Sequence, residues 1–225
     1  MELGAVLDRL EALYGEIGSP TPSEPYELVI FLNCGYTASD EACAKGFAAL
    51  NADIGIGPAA LLAADEGELA GLMRAGGMVP EVRARRLKWI AAFVQDQLGG
   101  DLKGALQRTP ERARKLLAKF PTFGEPAAER ILLFCGLQPA AAPPASCLHV
   151  LFRLGLCDEG KDYAAGYRAS RAVIEAGVPA DLAARQRAYL LLNTHGHRLC
   201  RRGAPLCETC PLAEDCAYAL GAAGG

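Results

Sequence analysis

The order of apolar and polar residues along the chain predicts helices nearly throughout. From Leu3 to Ile17, apolar residues recur every three or four positions, which places them on one face of an amphipathic helix. The apolar run LVIFLNC at residues 28–34 has the composition of a strand, but no alternating segment follows to pair with it. Segments of helical spacing, bounded by Gly, Pro or Asp, fill most of the chain from residue 38 to residue 199. We therefore predict an all-α protein.

A proline-rich stretch, QPAAAPPAS at residues 138–146, interrupts this pattern. Proline restricts both itself and the residue before it, so the stretch is predicted to be a stiff, extended linker with a domain boundary near residue 138. No apolar run approaches the roughly 18 residues that span a membrane. The acidic N-terminal helix also lacks the features of an export signal, so we expect a cytoplasmic protein with no membrane partner.

Charge is distributed unevenly along the chain. The formal net charge is −3, which taken alone argues against binding to nucleic acid. Residues 1–82 hold 3 basic and 13 acidic side chains, whereas residues 83–130 hold 11 basic and 5 acidic side chains. A basic middle section of this kind is able to present one surface to phosphates. Ordinary solvated helix faces would account for the same charges.

Four of the nine cysteines lie within 17 residues near the C-terminus. Their spacing is C-x6-C-x2-C-x5-C, at Cys200, Cys207, Cys210 and Cys216. In a reducing compartment, clustered thiols favour metal binding over disulfides. Four thiolates suit a tetrahedral zinc ion and an iron–sulfur cluster equally well, so the spacing leaves both open. The remaining five, predicted to be small buried hydrophobic residues, are Cys34, Cys43, Cys135, Cys147 and Cys157.

Several stretches together resemble the endonuclease III family of helix-hairpin-helix DNA glycosylases and abasic-site lyases. The cysteine spacing, preceded by NTHGHRLC and containing CETCPL, resembles the family's cluster loop, and AKFPTFGEPAAERILLF resembles its hairpin. PYELVIFLNCGYTASDEACAKGFAAL, GGMVPEVRARRLKWI and VLFRLGL are similar to other parts of the family fold, so the resemblance covers nearly the whole chain. It implies a two-lobed protein with a six-helix lobe at residues 26–137 and a second lobe formed by residues 1–25 and 138–225. It also implies that the four clustered cysteines bind a [4Fe-4S] cluster in preference to zinc.

The hairpin of this family binds DNA through its backbone, because the turn directs amide N–H groups toward a phosphate oxygen. The family pattern is Leu-Pro-Gly-x-Gly, and the corresponding residues here are Phe120, Pro121, Thr122, Phe123 and Gly124. The second glycine is present and the first is replaced by Thr122. A threonine where the turn favours a positive φ either strains the turn or changes its shape. We therefore expect DNA binding at residues 122–124 in an altered form.

Both catalytic positions that the resemblance implies are proline. The family uses a lysine two residues after the second hairpin glycine as a Schiff-base nucleophile, and an aspartate 18 residues later that stabilises developing positive charge. These positions are Pro126 and Pro144, and the separate match of HVLFRLGL places the aspartate at Pro144 as well. Proline has no ionisable side chain, so neither residue is able to act as nucleophile or acid. Nearby side chains that could substitute are Lys119, Glu125, Glu129, Ser146, Cys147 and His149.

Cationic side chains from both predicted lobes are candidate phosphate contacts, namely Arg83, Arg85, Arg86, Arg198, Arg201 and Arg202. Tyr36 lies in NCGYTASD, where the family inserts a polar side chain into DNA, and is a candidate for stacking on a base. The predicted partner is double-stranded DNA, damaged or structured. We expect a monomer that is associated with the nucleoid when bound to DNA.

Three functions fit these residues. We favour a DNA-binding protein with lost or strongly altered catalysis, because both catalytic positions are changed. The alternative is an active DNA glycosylase or abasic-site lyase with rearranged catalytic residues. The third is an iron–sulfur electron-transfer module unrelated to DNA, and the hairpin and the basic middle section argue against it.

Overall fold

A computed structural model describes residues 1–35 and 39–222 of the chain. All regular structure in these residues is helical, which confirms the predicted all-α class. In chain order the α-helices are α1 (Leu3–Tyr14), α2 (Pro25–Asn33), α3 (Asp40–Asp53), α4 (Pro58–Ala63), α5 (Glu66–Met73), α6 (Pro80–Leu98), α7 (Leu102–Leu106), α8 (Pro110–Leu117), α9 (Glu125–Phe134), α10 (Leu148–Arg153), α11 (Tyr163–Gly177), α12 (Leu182–Arg198) and α13 (Ala217–Ala222). Short 3₁₀ helices lie at Arg74–Gly76, Cys207–Thr209 and Ala213–Asp215. Nowhere in the described part of the chain is a helix long and apolar enough to cross a bilayer.

The chain folds as two compact units. Unit 1 comprises Met1–Ser19 and Gln138–Gly225, and unit 2 comprises Pro20–Leu137. The apolar run at residues 28–34 lies almost entirely within α2, so its strand-like composition is overridden by packing in the core of unit 2.

Unit 2 contains α2 to α9, which surround a core of buried aliphatic side chains. Five of these helices carry proline in the first turn, where the missing N–H has no intrahelical partner to lose. The segment PAALLAADEGELAGLMRAG, which has helical spacing throughout, forms α4 and α5 with a break at Ala64 and Asp65. The Asp65 carboxylate accepts hydrogen bonds from the N–H groups of Gly67 and Glu68 and so caps a new helix. Capping explains the break that helical spacing alone did not reveal.

Unit 1 contains α1 and α10 to α13. The predicted apolar face of α1 is buried at Leu3, Val6, Leu7 and Leu10, which pack with residues of α10, α11 and α12 in one core. The helix ends at Tyr14, and Leu13 is exposed. Asp162 and Asp181 cap α11 and α12 by accepting from the N–H groups of Ala165 and Ala184.

The proline-rich stretch has no regular secondary structure, but it is more than a linker. Ala140, Ala141 and Ala142 are buried, and Ala141 belongs to the core of unit 1. The sequence alone predicted only a linker for these alanines. The stretch leads into α10, whose N-cap residue is Cys147.

Candidate DNA-binding hairpin and cysteine loop

The hairpin joins α8 to α9 in unit 2 through residues 118–124. The N–H of Phe123 donates to the carbonyl oxygen of Phe120 at 3.2 Å and closes the turn. Thr122 has φ 67°, so this β-branched residue adopts the left-handed conformation that favours glycine. Its hydroxyl donates to the carbonyl oxygen of Pro121 at 2.5 Å. A non-glycine residue in this conformation costs on the order of 1–2 kcal/mol, so the consequence of Thr122 is strain in the turn.

Aromatic side chains hold the hairpin on α6. Phe120 and Phe123 are buried on either side of the strained residue, with ring centroids 6.0 Å apart. The Phe120 ring makes edge-on contacts with Trp89 and Phe93, at centroid distances of 6.3 and 5.3 Å. Aromatic pairs of this kind contribute roughly 0.5–1.5 kcal/mol each beyond their burial. Together they offset the strain at Thr122.

The start of α9 combines features that favour and oppose an anion. Gly124 is the N-cap residue, and the amides of the first turn form the kind of site that binds phosphate. Pro126 lies in this turn and has no N–H, so α9 offers one amide fewer. Glu125, which is exposed, adds negative charge at the same end. Thr122 and Gly124 are exposed, whereas Phe123 is buried and contributes to the turn through packing.

The four clustered cysteines come together in unit 1. We call residues 199–216 the cysteine loop; its start is closed by a hydrogen bond from the N–H of Leu206 to the carbonyl oxygen of Leu199 at 2.9 Å. All four cysteines line one pocket. Burial raises the pKa of Cys200 and of Cys210, so ionised thiols in this pocket require a compensating positive charge.

Arg153 of α10 supplies positive charge and fastens the loop. Its guanidinium donates to the carbonyl oxygens of Arg201 and Arg202, both at 2.7 Å, and lies 3.5 Å from the Cys200 sulfur. It also lies over the ring of Tyr218, 4.7 Å from the centroid. Arg153 therefore ties the beginning of the loop to α10 and to α13.

His195 approaches the pocket from the other side. Its Nε2 lies 3.7 Å from the Cys210 sulfur, and its Nδ1 lies 3.1 Å from the hydroxyl of Tyr14 in α1. Burial lowers the pKa of His195 to about 4, so the imidazole is neutral at physiological pH. Across residues 1–35 and 39–222, no three His, Cys, Asp or Glu side chains are arranged to hold a metal ion. Four cysteine thiolates are a donor set that an iron–sulfur cluster takes.

Three predicted phosphate contacts lie at the start of the cysteine loop. Arg198, Arg201 and Arg202 are all exposed, and no acidic partner is found for them among the described residues. Arg198 lies over the Tyr14 ring at 5.6 Å, and Nε of Arg201 donates to the carbonyl oxygen of Arg198 at 3.2 Å. The backbone contacts of Arg153 thus fix a surface that carries three positive charges.

Several solved structures are similar to this chain. The chain is similar to endonuclease III in a trapped covalent intermediate with DNA, with 19% identity, 99% of both chains covered and a TM-score of 0.79. A non-covalent endonuclease III–DNA complex gives 19% identity, coverage of 99% and 97%, and a TM-score of 0.81. A thermostable thymine-DNA glycosylase gives 19% identity, coverage of 97% and 95%, and a TM-score of 0.69. The chain has the fold of endonuclease III. No family model and no curated protein matches the sequence.

Within the endonuclease III fold, the two proline positions are well-packed parts of the structure. Pro126 is half-buried in the first turn of α9. Pro144 is buried, and its carbonyl oxygen accepts a hydrogen bond from the N–H of Cys147 at 2.8 Å. Neither position places an ionisable group in the fold, and both prolines have a structural role.

Three of the six side chains considered as substitutes are buried or hold structural contacts. Glu129 is buried, with Arg114 at 3.9 Å. The buried Cys147 sulfur lies 3.6 Å from the carbonyl oxygen of Asn193. Nε2 of His149 donates to the carbonyl oxygen of Cys200 at 2.6 Å, and burial lowers the pKa of this imidazole. The exposed members of the set are Lys119, Glu125 and Ser146.

Arg83 was predicted to contact phosphate, but its side chain is buried. Its side chain is 1% exposed, and the guanidinium donates to the carbonyl oxygens of Cys34, Gly77 and Met78. A buried guanidinium with this many carbonyl partners joins two loops of unit 2 and does not reach DNA. Spacing within a basic run did not reveal which arginine points inward. Arg85 is exposed with Glu66 at 3.6 Å, Arg86 is half-buried, and Tyr36 lies outside the described residues.

An exposed apolar tip, formed by Met78 and Val79 beside the buried Arg83 side chain, was not predicted from the sequence. Met78 is 64% exposed, and Val79 has φ 50° immediately before Pro80. A β-branched residue in this conformation is strained, and the contacts of Arg83 with Gly77 and Met78 hold it there. The sequence signal was the pair of glycines followed by Met-Val-Pro. Arg153 was missed as well, although it is a single cation within the apolar stretch HVLFRLGL.

Proposed function

We propose that this chain binds double-stranded DNA as a monomer, through its hairpin and exposed arginines, without the glycosylase or lyase chemistry of its structural relatives. One observation carries the proposal: the hairpin is built and anchored, whereas both positions that would hold catalytic groups are proline. The neighbours in the comparison are a DNA glycosylase and endonuclease III in complexes with DNA, which supports DNA as the ligand. The exposed Met78 tip is supporting evidence, since apolar side chains of this type insert between base steps.

A [4Fe-4S] cluster held by Cys200, Cys207, Cys210 and Cys216 is part of the proposal. When bound, such a cluster would supply four metal–thiolate bonds that organise the loop. Arg153 compensates the negative charge of the thiolates and keeps the backbone of residues 200–202 in place. The neutral His195 directs Nε2 toward the Cys210 sulfur. The proposal predicts iron by elemental analysis and a broad visible absorbance band, and stoichiometric zinc would contradict it.

The test of DNA binding is a screen of undamaged, oxidised and abasic duplexes at several salt concentrations. Each phosphate contact is expected to contribute about 0.9 to the slope of log affinity against log salt. Replacing Arg198, Arg201 and Arg202 by Gln should therefore lower the slope by about 2.7. Replacing the salt-bridged Arg9 and Arg187 provides a control, because both pair with carboxylates in unit 1. Binding without any salt dependence would contradict the proposal.

The same duplexes test the absence of chemistry. The wild-type chain should leave abasic and oxidised DNA intact and should give no covalent adduct on treatment with borohydride. A covalent adduct would identify an amine nucleophile and contradict the proposal for lyase chemistry. Release of a damaged base would contradict it for glycosylase chemistry.

The alternative function is an active glycosylase or lyase with rearranged catalytic groups. The observation that favours it is that Glu125 is exposed beside Pro126 and Ser146 is exposed two residues beyond Pro144. If base release is detected, Glu125→Gln and Ser146→Ala should reduce it by about 10²-fold or more where the residue acts as acid or base. Glu111→Gln, an exposed carboxylate on α8, is the matched control.

A further inference from the structure

Unit 2 carries a row of cations on α8 and at its two ends. Arg112 and Lys115 are exposed on one face of α8, Arg108 precedes its N-cap residue Thr109, and Lys119 follows its C-cap residue Ala118. We call these four residues the basic row. Residues 108–124 contain 5 basic side chains and 1 acidic side chain, although the formal charge of the whole chain is −3. The positive charge of the basic row is therefore local.

The side chains of the basic row have no partner among the described residues, unlike most of the other cations of unit 2. Lys45 pairs with Glu41 at 2.7 Å, Lys103 with Glu24 at 3.1 Å, and Arg130 with Asp40 at 2.6 Å. Within the described part of unit 2, no side chain of the basic row forms a hydrogen bond or an ion pair. Unpaired, exposed cations in a row are the side-chain arrangement that follows a phosphate backbone.

An aromatic platform lies at the end of the basic row. Lys119 is followed by Phe120, whose ring contacts Trp89 edge-on at 6.3 Å. Trp89 is stacked on Phe93, with centroids 5.0 Å apart and planes 7° from parallel, and it remains 43% exposed. An indole supported on one face and open to solvent elsewhere suits stacking on an unpaired base. A paired base is already stacked inside its duplex and cannot use this platform.

We propose that the basic row and Trp89 bind an unpaired DNA strand that continues from the duplex held at the hairpin. The inference rests on the proposed function, because the hairpin and the platform share Phe120. The strand's phosphates would contact Arg112 and Lys115, and one base would stack on Trp89. The preferred ligand of the chain is then a duplex with a single-stranded extension, and a blunt duplex binds more weakly.

The experiment compares a fluorescently labelled blunt duplex with the same duplex carrying a short oligothymidine overhang, by anisotropy. The overhang should raise the affinity of the wild-type chain about tenfold, within the range known for base stacking on an aromatic residue. In Arg112→Gln/Lys115→Gln the ratio of overhang-duplex affinity to blunt-duplex affinity should fall to about twofold or less. The matched control is Lys45→Gln/Lys103→Gln, which removes the same charge from paired cations and should keep the tenfold gain. Circular dichroism confirms that both variants fold.

Trp89 gives an independent signal, because it is the only tryptophan of the chain. The overhang should quench its fluorescence, and the blunt duplex should not. Equal affinity for the two duplexes, or a gain that survives in Arg112→Gln/Lys115→Gln, would overturn the inference. If no duplex binds at all, the proposed function fails, and titration with oligothymidine alone still decides the inference: binding that weakens in the double variant supports it, and absence of binding refutes it.

Discussion

The hairpin of unit 2 and the cysteine loop of unit 1 are both short irregular segments, yet different interactions hold them. The hairpin places two aromatic side chains in a core within seven residues. The cysteine loop runs for eighteen residues and buries only Leu212 and Cys216. A segment with so little apolar burial depends on bonds from its side chains, whereas a packed turn tolerates a strained residue such as Thr122. This difference explains how the hairpin keeps its shape although Thr122 replaces the first glycine of the family pattern. The cysteine loop, in contrast, has all four thiols of the family spacing.

The largest effect is expected for Cys210→Ser, which tests whether ligand bonds hold the loop. We expect loss of the visible absorbance band and a fall of about 5 kcal/mol in the free energy of unfolding, because loss of a bound metal group removes folding energy directly. Iron analysis and denaturant unfolding measure the two effects. Cys157→Ser is the control, since that sulfur lies 3.8 Å from the Ser170 hydroxyl outside the loop. Equal destabilisation by both variants would show that the loop does not depend on its thiols.

Phe120→Ala tests the packing that holds the hairpin. Removing a buried phenylalanine costs about 3–5 kcal/mol, and here it also removes the edge-on contacts with Trp89 and Phe93. Denaturant unfolding should show this loss, while the visible band of the iron-loaded protein stays unchanged. The band would disappear as well if the two segments shared one source of stability.

Arg153→Met tests how much of the cysteine loop is held by hydrogen bonds to its backbone. The carbonyl oxygens of Arg201 and Arg202 lose a charged donor, and bonds of this class contribute about 1.5–3 kcal/mol. We expect a loss of about 2 kcal/mol in the free energy of unfolding and a lower salt slope of DNA binding. Arg171→Met is the control, because Arg171 forms an ion pair with Glu175 on the surface of α11.

Thr122→Gly has the smallest expected effect and the opposite sign. Glycine adopts φ 67° without strain, so the free energy of unfolding should rise by about 1 kcal/mol. The rise should be measurable by thermal unfolding, and Thr109→Gly, at an extended N-cap residue with φ −60°, should give no such gain. Destabilisation by Thr122→Gly would mean that the threonine hydroxyl contributes more than its backbone costs.

The sequence predicted the helical class and the endonuclease III fold because both depend on patterns that span the chain. The apolar spacing in α1 and the spacing of the four cysteines can be recognised without knowing which residues lie nearby in space. Arg83 could not be placed in the same way, since only the carbonyl groups of distant loops make its burial favourable. The burial of Ala140 to Ala142 and the break at Asp65 likewise depend on packing and capping, which residue type alone does not specify.

The prolines in the first turns of helices lower the conformational entropy of the unfolded chain. Pro25, Pro58, Pro80, Pro110 and Pro126 all lie in the first turn of helices of unit 2, and none of the α-helices described in unit 1 has proline in its first turn. A proline whose native φ is already helical reduces the number of conformations open to the denatured ensemble, a gain of about 0.4–1 kcal/mol for each residue. Pro126 therefore contributes to the stability of unit 2 by lowering the conformational entropy of the unfolded chain. At the position where the family resemblance predicts a lysine, this chain holds a residue that limits backbone entropy.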